Sequence, residues 1–326
     1  MPKKTLVEVN IFNKLFNLFI KAKSDNKEHE FMKLQQRVHC MADEVTLAAD
    51  VNDFKLKLTN SEKNLIGQIL KSFAQTETHV EDYWSSYVSH WFPKPEIQSM
   101  AVTFGSFESI HAEAYSLLNE SLGLDDFAAF MEDEEARNKI ERLQQVNAGT
   151  MDEIAQSLAI FSAFTEGVNL FSSFAILMSF QMRNLMKGMG QIVAWSVRDE
   201  SLHSKAGCWL FTQLLKERPE LNTIDLHEKV IEACNISVNL EFSFIDKVFE
   251  MGNLDNLTKE QLKNFIHARA NEKMVELGYK PLYVIDEKLL EEIAWFGQIT
   301  SGVEHQDFFA QRPSAYSKST ADWSDL

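Results

Sequence analysis

The sequence predicts an all-α fold, a bundle of long helices. Three observations carry this. Only 12 Gly and 6 Pro punctuate 326 residues. The long intervals between them repeat apolar residues at helical period, and strand-like alternation is weak throughout. Intervals near the length of a bundle helix suit that architecture better than a globin-like stack.

The elements follow in order. A helix is expected from about Ser61 to His90, with Thr59-Asn60-Ser61-Glu62 as its cap region. Phe92-Pro93-Lys94-Pro95 breaks it. A second covers about 97–121, a short acidic one about 131–146, and a long one runs from about Met151 to Arg183. Gly188 and Gly190 mark the next turn, so a fifth is expected over about 190–217, ended by Arg218-Pro219. Further helices fit 224–251, 259–277 and 286–299. No repeat or composition break divides the chain, so residues 1–301 read as one domain. The polar stretch 302–326 shows no helical stripe and reads as a flexible tail.

Composition excludes several functions. The net charge is −16 and basic clusters are absent, which argues against binding nucleic acid or an anionic membrane. No stretch approaches the ~18 clean apolar residues of a membrane span. Cys40, Cys208 and Cys234 are far apart and lack CxxC spacing. That points to a reducing, cytoplasmic setting and away from disulfides or a thiolate zinc site.

Of 9 histidines, only His111 and His203 have Glu three residues earlier, as Glu108-x-x-His111 and Glu200-x-x-His203. On a helix each pair puts a carboxylate and an imidazole one turn apart on the same face. Two such pairs, with one lone Glu from each of two other helices, are the bundle pattern for a dinuclear carboxylate site. Glu77 and Glu166 supply the lone acids. Glu166 is the only acid between Glu153 and Asp199, in a segment rich in Phe, Leu and Ala. An unpaired carboxylate there is costly unless it meets a proton or a cation. Four carboxylates balance two divalent cations. The oxygen-rich donor set with two imidazoles suits iron or manganese better than zinc, and both metals react with dioxygen. Tyr115 sits one turn beyond His111, where it is either a hydrogen-bonded core ring or a phenol that an oxidised metal pair converts to a radical. Leu170, Phe174 and Val193 are the candidate shield. Asp199 is either an acceptor for a ligating imidazole N–H or a partner of Arg198 in a surface salt bridge.

FESIHAEAY, TEGVNLF and above all SVRDESLHSKAG resemble the small, radical-generating subunit of class I ribonucleotide reductase, over roughly residues 40–300. The resemblance implies a ferritin-like helical homodimer. Glu77, Glu108 and His111 then match the ligands of one metal, and Glu166, Glu200 and His203 those of the other. Tyr115 matches the radical tyrosine and Asp199 the aspartate behind the ligands. Such a subunit activates dioxygen or a reduced oxygen species and passes the oxidising equivalent to a separate large subunit, which reduces ribonucleotides. The tail implies docking to that subunit through Asp322-Trp323-Ser324-Asp325-Leu326, with Tyr316 as its redox-active tyrosine. Two departures stand out: Glu77 replaces a frequent Asp, and His39-Cys40-Met41-Ala42-Asp43-Glu44-Val45 lacks the usual Trp. Ser196 also replaces a usually apolar residue. The competing readings are a related dimetal oxidase acting on its own substrate, which needs neither Tyr115 nor the tail, and a ferritin-like storage protein, whose chain is shorter.

Overall fold

The computed structural model describes residues 26–124, 149–250, 252 and 254–300. Two helices come first, α1 (Lys27–Arg37) and α2 (Ala48–Leu56). The sequence reading has neither, because each is too short to display a long apolar period. α3 (Asn60–Asp82) starts on the expected cap: Glu62 N donates to Thr59 Oγ1 (3.3 Å) and Thr59 N to Glu62 Oε2 (2.8 Å). It continues as a π-helical segment, Tyr83–Val88, and a last turn, Ser89–Trp91. The chain reverses at Phe92–Lys94, and α4 (Pro95–Leu122) begins with Pro95, whose fixed φ suits a first turn. α4 ends at Gly123 in the left-handed region, φ 72°. α3 and α4 thus form the expected antiparallel hairpin.

The predicted single helix from Met151 to Arg183 is instead four pieces. α5 (Met151–Leu158) passes into a π-helical segment, Ala159–Thr165. An irregular turn over 166–170 follows, then α6 (Phe171–Ser179) and a 3-10 turn, Phe180–Arg183. In the π segment Glu166 N donates five residues back, to Phe161 O (3.1 Å). One extra residue per turn leaves the apolar composition intact, so the period gives no warning of it.

The next turn also differs from expectation. It falls at Asn184 and Met186, both left-handed (φ 59° and 53°), and α7 (Lys187–Glu217) starts before the glycines. Gly188 and Gly190 lie inside the first turns of α7 because neighbours crowd them. A Cβ on Gly188 would sit 2.8 Å from Leu47 Cδ2, and one on Gly190 would sit 2.0 Å from Gln181 Nε2. Acids from α2 supply the missing cap. Asp50 accepts from Gly188 N (3.0 Å) and Met189 N (2.8 Å), and Asp53 accepts from Met186 N (3.0 Å). A carboxylate at a helix N-terminus satisfies orphan amides and meets the favourable end of the dipole. Asp50→Ala is therefore expected to lower stability by about 1–3 kcal/mol in denaturant unfolding. An unchanged midpoint would remove Asp50 as a cap.

α8 (Ile224–Glu250) and α9 (Lys259–Glu276) follow the predicted bounds. α10 (Glu287–Glu292) is interrupted at 293–294, and helix resumes at 295–300. Among the described residues there is no strand beyond one bridge between Leu254 and Leu257. One connected apolar cluster runs from Phe31 to Phe296. No described helix is long and apolar enough to cross a membrane. The expectations for residues 131–146, for the 302–326 tail and for Tyr316 lie outside the described residues.

Candidate metal centre

The α3–α4 hairpin faces α7 and the π segment before Glu166. This brings the six predicted acids and imidazoles into two groups. Glu77, Glu108, His111 and Glu200 form one, and Glu108, Glu166, Glu200 and His203 the other; in each, ligand atoms lie within 4.8 Å of one another. Glu108 and Glu200 belong to both groups. The sequence reading had divided them between two metals; here they lie between the two positions.

All four glutamates and His203 are fully buried, and His111 nearly so. No hydrogen bond reaches either oxygen of Glu77 or Glu200, nor Glu108 Oε1, Glu166 Oε2 or His203 Nδ1. His203 Nδ1 lies 2.6 Å from Glu108 Oε1, and His111 Nδ1 lies 3.3 Å from Glu200 Oε1. Orphaned lone pairs converging in an apolar interior fit a pair of divalent cations, since isolated buried carboxylates each cost several kcal/mol. Titration follows the same logic. Burial, then Glu200 and Glu108, hold the Glu77 carboxyl well above its usual range. Burial, then Glu200 and Glu108, do the same to Glu166. Burial and Glu108 raise Glu200 to about 7. Burial also pushes Glu108 up, but the His203 and His111 imidazoles overcome it and hold it at about 2.

The imidazoles are held from behind. His111 Nε2 lies 3.2 Å from Asp199 Oδ2, leaving Nδ1 toward the carboxylates. Arg198 Nε donates to the other Asp199 oxygen (3.0 Å), and Asp199 is fully buried, so this pair is not a surface salt bridge. Arg198 Nη2 also donates to Val38 O (2.9 Å), beside the stretch that lacks the usual Trp. His203 Nε2 lies 3.0 Å from Gln35 Oε1 on α1. Gln35 is the counterpart of Asp199 for the second imidazole. Sequence reasoning missed it, although a Gln three to four residues past Phe31 and Met32 shares their buried face. It missed Trp84 as well, whose Nε1 donates to Glu166 Oε1 (2.5 Å).

Tyr115 is fully buried. Its hydroxyl donates to Ser196 Oγ (2.7 Å). Phe73 packs 4.9 Å from its ring, and Phe174 packs 5.1 Å from Phe73. Leu170 and Val193 are buried in the same core. Burial, then the Glu77 charge, keeps the phenol protonated. The three cysteines are buried and form no disulfide, and none belongs to either group.

The family model described as ribonucleotide reductase, small chain, matches residues 18–289. A probable ribonucleoside-diphosphate reductase small subunit of Invertebrate iridescent virus 3 is 33% identical, covering 88% of this chain and 81% of its own length. A putative class I ribonucleotide reductase from Bacillus halodurans shares the fold, with a TM-score of 0.76 at 20% identity over 84% of this chain and 99% of its own. So does the dimanganese(II) NrdF of Streptococcus sanguinis, with a TM-score of 0.74 at 20% identity over 85% and 96%. Those likenesses make the helical frame ferritin-like, and the sequence match goes further: the chain belongs to the ribonucleotide reductase small-chain family.

Proposed function

We propose that the chain is the radical-generating small subunit of a class I ribonucleotide reductase. In this reading two metal ions are held by Glu77, Glu108, His111, Glu166, Glu200 and His203. Tyr115 stores the oxidising equivalent that a large subunit uses to reduce ribonucleotides. One observation carries the reading. A fully buried phenol shares one helix face with Glu108 and His111, in a core where four carboxylates converge with two imidazoles. The match to the small-chain family favours this over a self-contained oxidase or a storage protein.

Iron and manganese both suit a donor set of carboxylates and imidazoles. When bound, such a pair supplies the electrons that reduce dioxygen or a reduced oxygen species. The chain does the rest. Asp199 and Gln35 fix which imidazole nitrogen faces the carboxylates. Glu108 and Glu200 are placed to serve both metal positions. Phe73 and Phe174 keep water from Tyr115, and Ser196 Oγ holds the phenolic proton at a defined place. The domain pairs with a second copy, and residues 302–326, with Tyr316 and the terminal Asp322–Leu326, dock on the large subunit.

Loading the metal-free protein with iron(II) or manganese(II) and then admitting oxygen or peroxide tests this. Two ions per chain are expected by metal analysis, with iron giving a tyrosyl signal by paramagnetic resonance. A chain lacking 316–326 is expected to keep both ions and lose turnover with the large subunit. Fewer than two ions in the intact chain contradicts the ligand set, and full turnover by the truncated chain contradicts the docking role.

A further inference from the structure

The stretch YWSSYVSHW, residues 83–91, packs four of the chain's 6 Trp and 6 Tyr into nine positions. It begins in the π segment Tyr83–Val88, and it starts at the metal centre. Trp84 is fully buried, donates to Glu166, and packs 6.1 Å from the His203 ring. From Trp84 the rings continue outward in unbroken contact. Tyr83 lies 5.3 Å from Trp84, Trp91 lies 5.8 Å from Tyr83, and Tyr87 lies 6.0 Å from Trp91, centre to centre. Tyr83 and Trp91 are buried, while Tyr87 is partly exposed. Phe161 stacks on Tyr83 at 3.8 Å and Phe104 packs edge-on to Trp84 at 5.0 Å, walling the row with rings that resist oxidation.

Packing alone does not require this composition. Phe or Leu fills a core with no polar atom to satisfy, whereas each indole or phenol brings one. Indoles and phenols are the side chains that lose one electron most readily apart from thiolates. Rings at van der Waals contact exchange electrons far faster than groups separated by a gap.

We propose that Trp84, Tyr83, Trp91 and Tyr87 form a one-electron relay between the ligand set and the protein surface. This rests on the proposed function for its purpose but not for its existence. When an oxidant at the ligand set takes one electron from Trp84, Tyr83 refills Trp84, Trp91 refills Tyr83 and Tyr87 refills Trp91. A solution reductant of the thiol or ascorbate class then gives one electron to oxidised Tyr87, which is restored last. The reductant is oxidised by one electron and the rings end unchanged. The Tyr83 phenol, whose oxygen lies 3.5 Å from Ser162 Oγ, releases its proton when it loses its electron and regains it when refilled. The Trp84 N–H stays shared with Glu166.

The test uses the metal-free full chain, a photoexcited ruthenium polypyridyl and persulfate, with oxidised residues mapped by peptide mass spectrometry. The bulky oxidant cannot touch fully buried Trp84, so oxygen added at Trp84 reports transfer along the rings. Wild type is expected to show it, and Trp91→Phe to reduce it to background with Tyr87 still oxidised. Tyr87→Phe, at the partly exposed end and less demanding on the core, is expected to do the same. Circular dichroism checks that both variants fold. Oxidation of Trp84 that is absent in wild type, or equal in folded variants, overturns the relay. The metal-loaded protein is then given oxygen without reductant; products at Trp91 and Tyr87 that vanish in Trp84→Phe support the outward direction, and products that persist overturn it. Failure to load metal counts against the proposed function alone, because the photo-oxidation arm needs no metal.

Discussion

Tyr115→Phe is expected to abolish turnover with the large subunit and erase the tyrosyl signal, while two metal ions stay bound and the fold barely changes. The substitution removes one oxygen and nothing else. Phe occupies the same space against Phe73, so no cavity opens. The lost hydrogen bond to Ser196 costs about 0.5–1.5 kcal/mol. Ser196 keeps a long contact to Ile192 O at 3.4 Å, so its hydroxyl is not stranded. A loss that small cannot unfold a domain of this size, so lost turnover would report chemistry. Paramagnetic resonance, metal analysis and thermal unfolding together read the three outcomes. A tyrosyl signal that survives in the variant would place the radical elsewhere.

The metal-free protein is expected to lose stability as pH rises from about 5 to 8, and metal loading to remove that slope. The folded-state carboxyls of Glu77 and Glu166 lie well above their ordinary range, and Glu200 lies at about 7. Between the ordinary carboxyl value and these raised ones, the folded chain holds protons that the unfolded chain has released. Stability therefore falls as pH rises, by about 1.4 kcal/mol per pH unit for each excess proton. His111 acts in the same direction above its ordinary value, because Asp199, Glu108 and Glu200 outweigh burial and raise it. Glu108, held at about 2, works the other way, but only in acid: its contribution is present above the ordinary carboxyl value and is lost as pH falls toward 2. Cations replace the protons at the same oxygens. Loading should then release protons, tighten with rising pH, and stabilise by about 2.7 kcal/mol at a hundredfold excess over the dissociation constant. Denaturant unfolding across the pH range, with and without metal, measures both. A flat profile for the metal-free protein would mean that the four carboxylates are satisfied by other means.

Much of the centre is legible in the sequence because its signals are local. Glu108 with His111, and Glu200 with His203, announce themselves by a three-residue step, and Glu166 by isolation among apolar neighbours. Residues that act across helices leave no such mark. Gln35 and Trp84 carry no charge and meet their partners 168 and 82 positions away. The turn before α7 was misplaced for a related reason. Glycine signals either a backbone turn or a close approach, and Gly188 and Gly190 serve the second use, while Asn184 and Met186 take the strained positions. The π segment Ala159–Thr165 is invisible because inserting one residue into an almost uniformly apolar run changes no pattern.

The cap on α7 has a consequence for how the chain is made. Asp50 waits 138 positions ahead of the amide it accepts from, and Glu77 and Glu108 also precede their α7 partners, Glu200 and His203, by long spans. As synthesis proceeds from the N-terminus, α2, α3 and α4 leave the ribosome before the α7 partners of these acids exist. The first half of the chain cannot close its own interior. It must stay open until α7 emerges, when one helix delivers the amides for Asp50, the imidazole for Glu108 and the serine for Tyr115 together. Truncation anywhere before residue 204 would leave a nascent product whose interior acids lack their α7 partners, a natural substrate for cellular quality control.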